Sequence, residues 1–159
     1  LSTVSALGAQ NMGAGKYDRA DQILRYAMGS AVGFGLCVSL LIQVIAGLVV
    51  GLFTTDAAVI LLGAQYIRGY IWDCIFAGVH FSFSGYFCAY GRSEISFIHN
   101  LIAILCVRIP GVYLTSKIFP DTLFPMGLAT ATGSLLSVII CTIAFGWLKR
   151  QEKRKRKSA

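Results

Sequence analysis

The longest stretch without a charged side chain in this sequence covers residues 26–55. At the α-helical rise of about 1.5 Å per residue, it exceeds the hydrocarbon thickness of a bilayer, which is about 30 Å. Backbone polar groups in lipid must be hydrogen-bonded within the protein, so a stretch of this kind predicts a transmembrane helix. The fold is therefore restricted to helical membrane architectures.

The composition of the whole chain is that of an integral membrane protein. Hydrophobic residues make up 56% of the sequence and charged residues only 13%, against about 25% charged residues in an ordinary soluble domain. The charged residues cluster between long apolar stretches, as insertion into lipid requires. We expect a multi-pass protein of the cell (inner) membrane.

The hydropathy pattern predicts an all-α fold, a polytopic membrane helix bundle with about four full transmembrane helices. Residues 1–12 are expected to be the end of a preceding helix. The four predicted spans are residues 26–55, 57–91, 95–116 and 126–148. Residues 1–148 would form the membrane part of the chain, and residues 149–159 a basic tail.

Glycines at a spacing of four residues recur in the first span, at Gly29 and Gly33 and again at Gly47 and Gly51. Small residues at this spacing allow two helix backbones to approach closely. The pattern predicts tight helix packing on this face.

Polar residues interrupt the second span. At helical spacing Tyr70, Asp73, His80 and Ser84 fall on one face. Ionisable groups inside a membrane cost about 2.5–3.5 kcal/mol each and usually face a protein interior or a wet pathway. Together with Arg108 in the third span, these residues are the candidates for a substrate or ion pathway. The alternatives are that His80 only forms a structural hydrogen bond and that the ring of Tyr70 only packs against its neighbours.

Asp73 and Arg108 are expected at similar depths in the membrane. They lie about 19 residues before and about 16 residues after the turn at Arg92, so their depths differ by about 5 Å. We predict that they pair or share a water-filled cavity. The alternative is that each has a separate structural partner, for example Arg68 for the aspartate.

Residue types that carry catalysis or bind metals do not form a recognisable pattern in this sequence. The five cysteines all lie in apolar stretches without a C-x-x-C pair, and the two histidines are far apart. Metal ligands and paired catalytic groups need closer or more regular spacing. The sequence therefore predicts no enzyme activity, no cofactor and no bound metal.

Lysines and arginines predict the orientation. The linker at residues 16–25, the turn at Arg92 and the tail at residues 149–157 belong to one side of the membrane, and they carry most of the positive charge. Positive loops mark the cytoplasm, so the C-terminus is predicted to be cytoplasmic. Next to a membrane span, the basic tail is better explained by contact with anionic lipid head groups than by binding of nucleic acid.

Several stretches resemble the MATE family of multidrug and toxic compound extrusion transporters. They occur in the order and at the spacing expected for the family. These stretches are AQNMGAGKYDRA at residues 9–20, GYFCAYGRSEISFIHNL at residues 85–101, RIPGVYL at residues 108–114 and PMGLATATGS at residues 125–134.

The resemblance implies a fold of twelve helices in two six-helix halves. This chain would run from the end of the eighth helix through the twelfth, and the missing N-terminal half would be its partner. An acid that the family carries on its tenth helix would fall near Ala77, and Asp73 lies one turn away on the same face. Because Asp73 does not stand at the position of the family's acid, it stays open whether Asp73 is the coupling acid or a structural charge.

The function implied by the resemblance is secondary active transport. Such an antiporter exports drugs or small organic cations in exchange for protons or sodium ions, and this chain would be a fragment of it. Two alternatives remain open from the sequence: a lipid-linked saccharide flippase of related architecture, and a non-transporting four-helix membrane scaffold.

Overall fold

The computed structural model describes residues 1–158, with the side chains of residues 1–152 and of Arg154. The described part is all-helical. Its elements in chain order are α1 (Ser2–Gly13), α2 (Tyr17–Gly51), α3 (Ala57–Tyr70), α4 (Asp73–Ala89), α5 (Ser93–Ala103), a π-helix (Ile104–Arg108), α6 (Ile109–Ile118) and α7 (Phe124–Ser158).

Three of the described helical segments are long and apolar enough to cross a membrane. They are Tyr17–Gly51, Ser93–Ile118 and Phe124–Glu152. The second of them joins α5, the π-helix and α6 into one continuous segment. These segments correspond to the first, third and fourth predicted spans.

The second predicted span is not one continuous helix. It divides into α3 and α4, with a two-residue turn between Tyr70 and Asp73. At this turn the backbone N–H of Cys74 donates to the carbonyl of Ile71 at 3.0 Å, a bond over three residues instead of four. The polar face predicted for this span is therefore shared between two helices.

Side chains of α2 satisfy backbone carbonyls at the break. The amide of Gln43 donates to the carbonyl of Arg68 at 3.0 Å, and the hydroxyl of Ser39 donates to the carbonyl of Ile71 at 3.2 Å. Inside a membrane such carbonyls need a protein partner, and neighbouring helices supply it. The interruption is stabilised by α2, a contribution that the sequence of the second span does not reveal.

Close helix packing occurs at other glycines than the predicted ones. Within the described chain, Gly29, Gly33 and Gly47 have no neighbouring side chain or backbone where a Cβ would lie. A Cβ at Gly69 of α3 would instead overlap the backbone of α7, and one at Gly127 of α7 would overlap the backbone of α3. The close approach of backbones that we predicted at the glycines of α2 is therefore not found among the described helices; of these four glycines, Gly51 alone has a neighbour there, Cδ1 of Ile60 at 3.9 Å.

One end of the bundle is held together by α1, α2, α4 and α7. Tyr86 and Phe87 of α4 are buried there beside Leu24 of α2 and Leu148 of α7. α7 continues as one helix past residue 148, so the basic tail begins within a helix.

Candidate functional site

An ion pair with a buried carboxylate and a partly exposed arginine joins α4 to the π-helix. Nη2 of Arg108 lies 3.2 Å from both carboxylate oxygens of Asp73. The aspartate is only 5% exposed. This confirms the predicted pairing. It also excludes the alternative with Arg68, whose Nε donates to the carbonyl of Gln43 at 3.1 Å.

α7 supplies a third member of this cluster. Nη2 of Arg108 also donates to the hydroxyl of Ser134, at 2.6 Å. A Cβ at Gly133 would overlap the arginine side chain, so glycine is required for the guanidinium to reach this position. We name Asp73, Arg108 and Ser134 the ion-pair cluster. Ser134 did not stand out in the sequence, because it lies in a stretch of small residues that is typical of helix packing in membranes.

Both charged members of the ion-pair cluster lie where a helix is irregular. Asp73 is the first residue of α4, directly after the break, where the helix dipole favours a negative charge. Arg108 is the last residue of the π-helix, and the N–H of Ile109 bonds to the carbonyl of Ile104, five residues earlier. Pro110 gives a physical reason for this, because its ring displaces the carbonyl four residues before it.

Irregular helices of this kind have a known use in membrane proteins. π-helical turns occur frequently at functional sites, and interrupted transmembrane helices often form the binding sites of transporters. A buried charge pair at the meeting point of two such irregularities is therefore a strong candidate for a functional site.

A second polar cluster joins α4 to α5. The hydroxyl of Ser84 lies 3.0 Å from Nε2 of His99, and both residues are buried. The ring of His80 meets that of His99 edge-on, with 5.6 Å between the ring centroids. We name His80, Ser84 and His99 the histidine cluster. His99 was missed as a site residue, because a single histidine followed by an apolar stretch gives no depth or charge signal and only the fold brings it next to α4.

Tyr70 lies outside both clusters. It is 36% exposed, and its ring stacks on that of Tyr66 with 5.8 Å between centroids. The structure thus brings Asp73 together with Arg108, and His80 together with Ser84, while Tyr70 lies one turn before Asp73 and stacks on Tyr66. A role of these residues in a substrate or ion pathway stays a prediction.

Among the described residues, no three His, Cys, Asp or Glu side chains come together as a metal site would require. The chemistry available to the ion-pair cluster is the exchange of charge partners. A proton or a cation that neutralises the carboxylate of Asp73 would free the guanidinium of Arg108, which would still have the Ser134 hydroxyl as a partner.

Comparison with known proteins identifies the family. The family model described as MatE matches residues 1–114, which include Asp73, the histidine cluster and Arg108. No curated protein and no solved structure matches the chain. Because the family model covers more than half of the sequence, this chain belongs to the MATE family of membrane transporters.

Proposed function

We propose that this chain is the C-terminal part of a secondary active antiporter. The antiporter exports drugs or organic cations in exchange for protons or sodium ions, without an organic cofactor and without enzymatic chemistry. The chain contributes the last helices of a twelve-helix fold, and the N-terminal half of the same transporter completes the substrate pathway.

The observation that carries this proposal is the ion-pair cluster. The side chain of Asp73 is 7% exposed and that of Arg108 is 29% exposed. The carboxylate is thus shielded, while Arg108 lines a groove beside α6 and α7. Such a charge pair is suited to coupling ion binding to substrate export. Its paired state and the state opened by a proton or a cation differ in charge and in packing, so ion binding can favour one conformation over the other.

For the membrane topology, we propose four spans, with α3 and α4 together forming an interrupted second one. Contacts at one end of the bundle support this arrangement. Nζ of Lys149 lies 2.6 Å from a carboxylate oxygen of Asp21, and the guanidinium of Arg92 lies 5.6 Å from the ring centroid of Trp147. The basic linker, the turn and the start of the tail therefore share one end, as the orientation rule requires. In this topology, the basic end lies on the cytoplasmic side of the cell membrane, where the tail contacts anionic lipids.

The test is dye efflux from energised cells that express the full-length protein. Wild type is compared with Asp73→Asn and with the control variant Asp121→Asn, which removes an exposed acid from the loop before α7. Surface expression is quantified in parallel. Because Asp73→Asn leaves Arg108 without its partner and can lower expression, efflux is divided by the amount of protein at the surface. We expect Asp73→Asn to lose most of this normalised efflux, while the control keeps it.

Unchanged efflux in Asp73→Asn would contradict the role of the ion-pair cluster. A wild type that translocates a lipid-linked saccharide but no dye would favour the flippase. A wild type that moves neither would favour the scaffold. The coupling ion is identified by imposing proton or sodium gradients separately across proteoliposomes and measuring which gradient drives dye movement.

A further inference from the structure

Arg68 on α3 carries a positive charge deep in the membrane part of the structure. It lies about 12 residues after Asp56, which caps the start of α3, and this corresponds to about 18 Å along the helix. Its Nε donates to the carbonyl of Gln43 on α2 at 3.1 Å. Gln43 itself lies about eight residues, or about 12 Å, before the end of α2 at Gly51. The charge therefore lies well inside a hydrocarbon region of about 30 Å.

The two terminal nitrogens of Arg68 have no partner in the described part of the chain. They form no hydrogen bond there, and no carboxylate of the described residues forms an ion pair with them. They are also not among the unpartnered side-chain atoms that are fully shielded from solvent. Of the N–H groups of this guanidinium, only the one on Nε is used, so both terminal NH₂ groups reach the surface without an acceptor.

The charges inside the described spans do not balance. Asp73 and Arg108 neutralise each other, while residues 26–51 of α2 and residues 124–148 of α7 carry no charged side chain. The other charged residues of the described helices lie near the ends of the spans, and only Arg68 is left over. Charged groups inside a membrane usually pair with one another. Arg68 thus needs an acidic partner that these helices do not supply.

The surface beside Arg68 is apolar and uncovered. Val44, next to Gln43, is 81% exposed, and Leu61, two turns before Arg68 on the same face of α3, is 62% exposed. At Gly47, one turn after Gln43, no atom lies within 4 Å of the position that a Cβ would take. Such a position allows a neighbouring helix to approach the backbone closely. The surface therefore suits an apolar helix that carries one acid.

A lipid phosphate also carries a negative charge, but the position of the guanidinium argues against it. Long basic side chains in a membrane usually direct their charged end toward the interface. The bond from Nε of Arg68 to the Gln43 carbonyl instead keeps the guanidinium deep, whereas lipid phosphates lie outside the hydrocarbon region. A carboxylate on a membrane helix can lie at this depth, and its two oxygens match the planar N–H groups of a guanidinium.

We propose that a membrane helix outside this chain packs against α2 and α3 and pairs a carboxylate with the terminal nitrogens of Arg68. This helix belongs to the rest of the transporter, so the inference rests on the proposed function. The contact is separate from the ion-pair cluster. It holds two parts of the transporter together and does not take part in the coupling of ion binding to export.

The experiment exchanges charges in the full-length protein. Arg68→Glu places an acid opposite the proposed carboxylate, and we expect this variant to lose most of the monodisperse protein in size-exclusion chromatography. Each membrane aspartate or glutamate outside this chain is then replaced by arginine in the Arg68→Glu background. We expect one such position to restore about half or more of the wild-type yield, because the pair again has opposite charges. If no position restores it, the inference is overturned.

A neutral series covers the case that charge reversal prevents folding altogether. Arg68→Gln should lower the melting temperature of the purified protein by several degrees, because it leaves the partner acid unpaired. Combined with neutralisation of that acid, the loss should be smaller than the sum of the two single losses. Arg19→Gln, which removes an exposed arginine from the first turn of α2, is the matched control and should not lower the melting temperature. Strict additivity with every acid outside this chain would refute the contact.

A comparison of lipid conditions distinguishes the carboxylate from a lipid phosphate. The melting temperatures of wild type and Arg68→Gln are measured after delipidation in dodecyl maltoside, which contains no phosphate, and again with added phosphatidylglycerol. A protein carboxylate gives the same difference between the two proteins in both conditions. A difference that appears only with phosphatidylglycerol would assign the contact to a lipid and overturn the inference.

These measurements report stability and not transport, so the two proposals can fail separately. If no acid couples to Arg68 while Asp73→Asn still loses efflux, the proposed function stands without this contact. If an acid couples to Arg68 but the wild type exports no dye, the contact stands and the transport proposal fails.

Discussion

Ser134 on α7 holds the same guanidinium nitrogen of Arg108 that binds Asp73, at 2.6 Å from its hydroxyl oxygen. One arginine nitrogen thereby connects three helical elements. Opening the ion pair leaves the arginine attached to α7, so movement of the cation is restricted when the aspartate is neutralised.

The first prediction concerns the energetics of the ion pair. The carboxylate of Asp73 is nearly buried while Arg108 is 29% exposed, so the cost of removing one partner should lie below the about 3–5 kcal/mol of a fully buried pair. We expect Arg108→Gln, which leaves the Asp73 carboxylate without its partner, to lower the free energy of unfolding of the full-length protein in detergent by about 1–3 kcal/mol. Ser134→Ala, which removes one hydrogen bond, should cost about 1 kcal/mol.

Coupling between the two charges is measured with the double variant. Asp73→Asn combined with Arg108→Gln should be less destabilised than the sum of the single variants, because the second change removes the uncompensated charge. Strictly additive losses would contradict an energetic role for the pair.

The second prediction concerns the space that the arginine occupies. A methyl group at Gly133 would overlap the side chain of Arg108, so Gly133→Ala should displace the guanidinium and mimic part of the effect of Arg108→Gln on stability and transport. Gly146→Ala on the same helix is the matched control, since no atom lies within 4 Å of the added methyl group. The control should be neutral or stabilising by up to about 1 kcal/mol. Equal effects of both variants would refute the argument.

The third prediction addresses the contact between α3 and α7. A Cβ at Gly69 would overlap the backbone of α7, which cannot move as a flexible side chain can. We expect Gly69→Ala to lower the melting temperature of the purified full-length protein by several degrees, because overpacking costs about 1–3 kcal/mol. Gly47→Ala adds the same methyl group in open space and serves as the comparison. A Gly69→Ala protein as stable as Gly47→Ala would show that the helices are not packed this closely.

The fourth prediction concerns the basic end of the bundle. Asp21 accepts a hydrogen bond from the hydroxyl of Tyr86 at 2.8 Å and forms an ion pair with Lys149 at 2.6 Å. Both charged side chains of this ion pair are 22% exposed, and Lys149 also pairs with Glu152 at 3.0 Å. Lys149→Met removes both pairs, so it should cost up to about 1 kcal/mol for each, and the loss should shrink at high salt. Asp18→Asn, at an exposed position one turn earlier, is the control. A loss that does not depend on salt would argue against an electrostatic contribution.

Depth and charge patterns in the sequence were sufficient to predict the helical membrane fold and the pairing of Asp73 with Arg108. Both predictions rest on the high free-energy cost of a charge in lipid. Because of this cost, a transmembrane segment contains few charged residues, and those that it contains usually pair with each other. Comparing the depths of charged residues did not point to Ser134. A serine hydroxyl is uncharged and can be placed in a membrane helix at low cost, so it does not predict a partner on another helix.

The break between α3 and α4 was not predicted, since no proline or glycine stands at Ile71 or Trp72 to signal it. Its stabilising contacts come from Ser39 and Gln43, which lie on another helix. The histidine cluster was missed in part for the same reason, as His99 reaches its position only through the packing of α5 on α4. Features that depend on contacts between distant segments are not visible in local patterns.

The unbroken course of α7 has a mechanical consequence. The helix runs from Phe124 to Ser158, over about 50 Å at the α-helical rise. Because no loop separates its apolar part from the basic residues that follow, a tilt of α7 about Ser134 is transmitted to the tail as a sideways displacement. We therefore expect an opening of the ion pair that tilts α7 to be detectable at the far end of the helix, as a change in the position of the tail relative to the other helices.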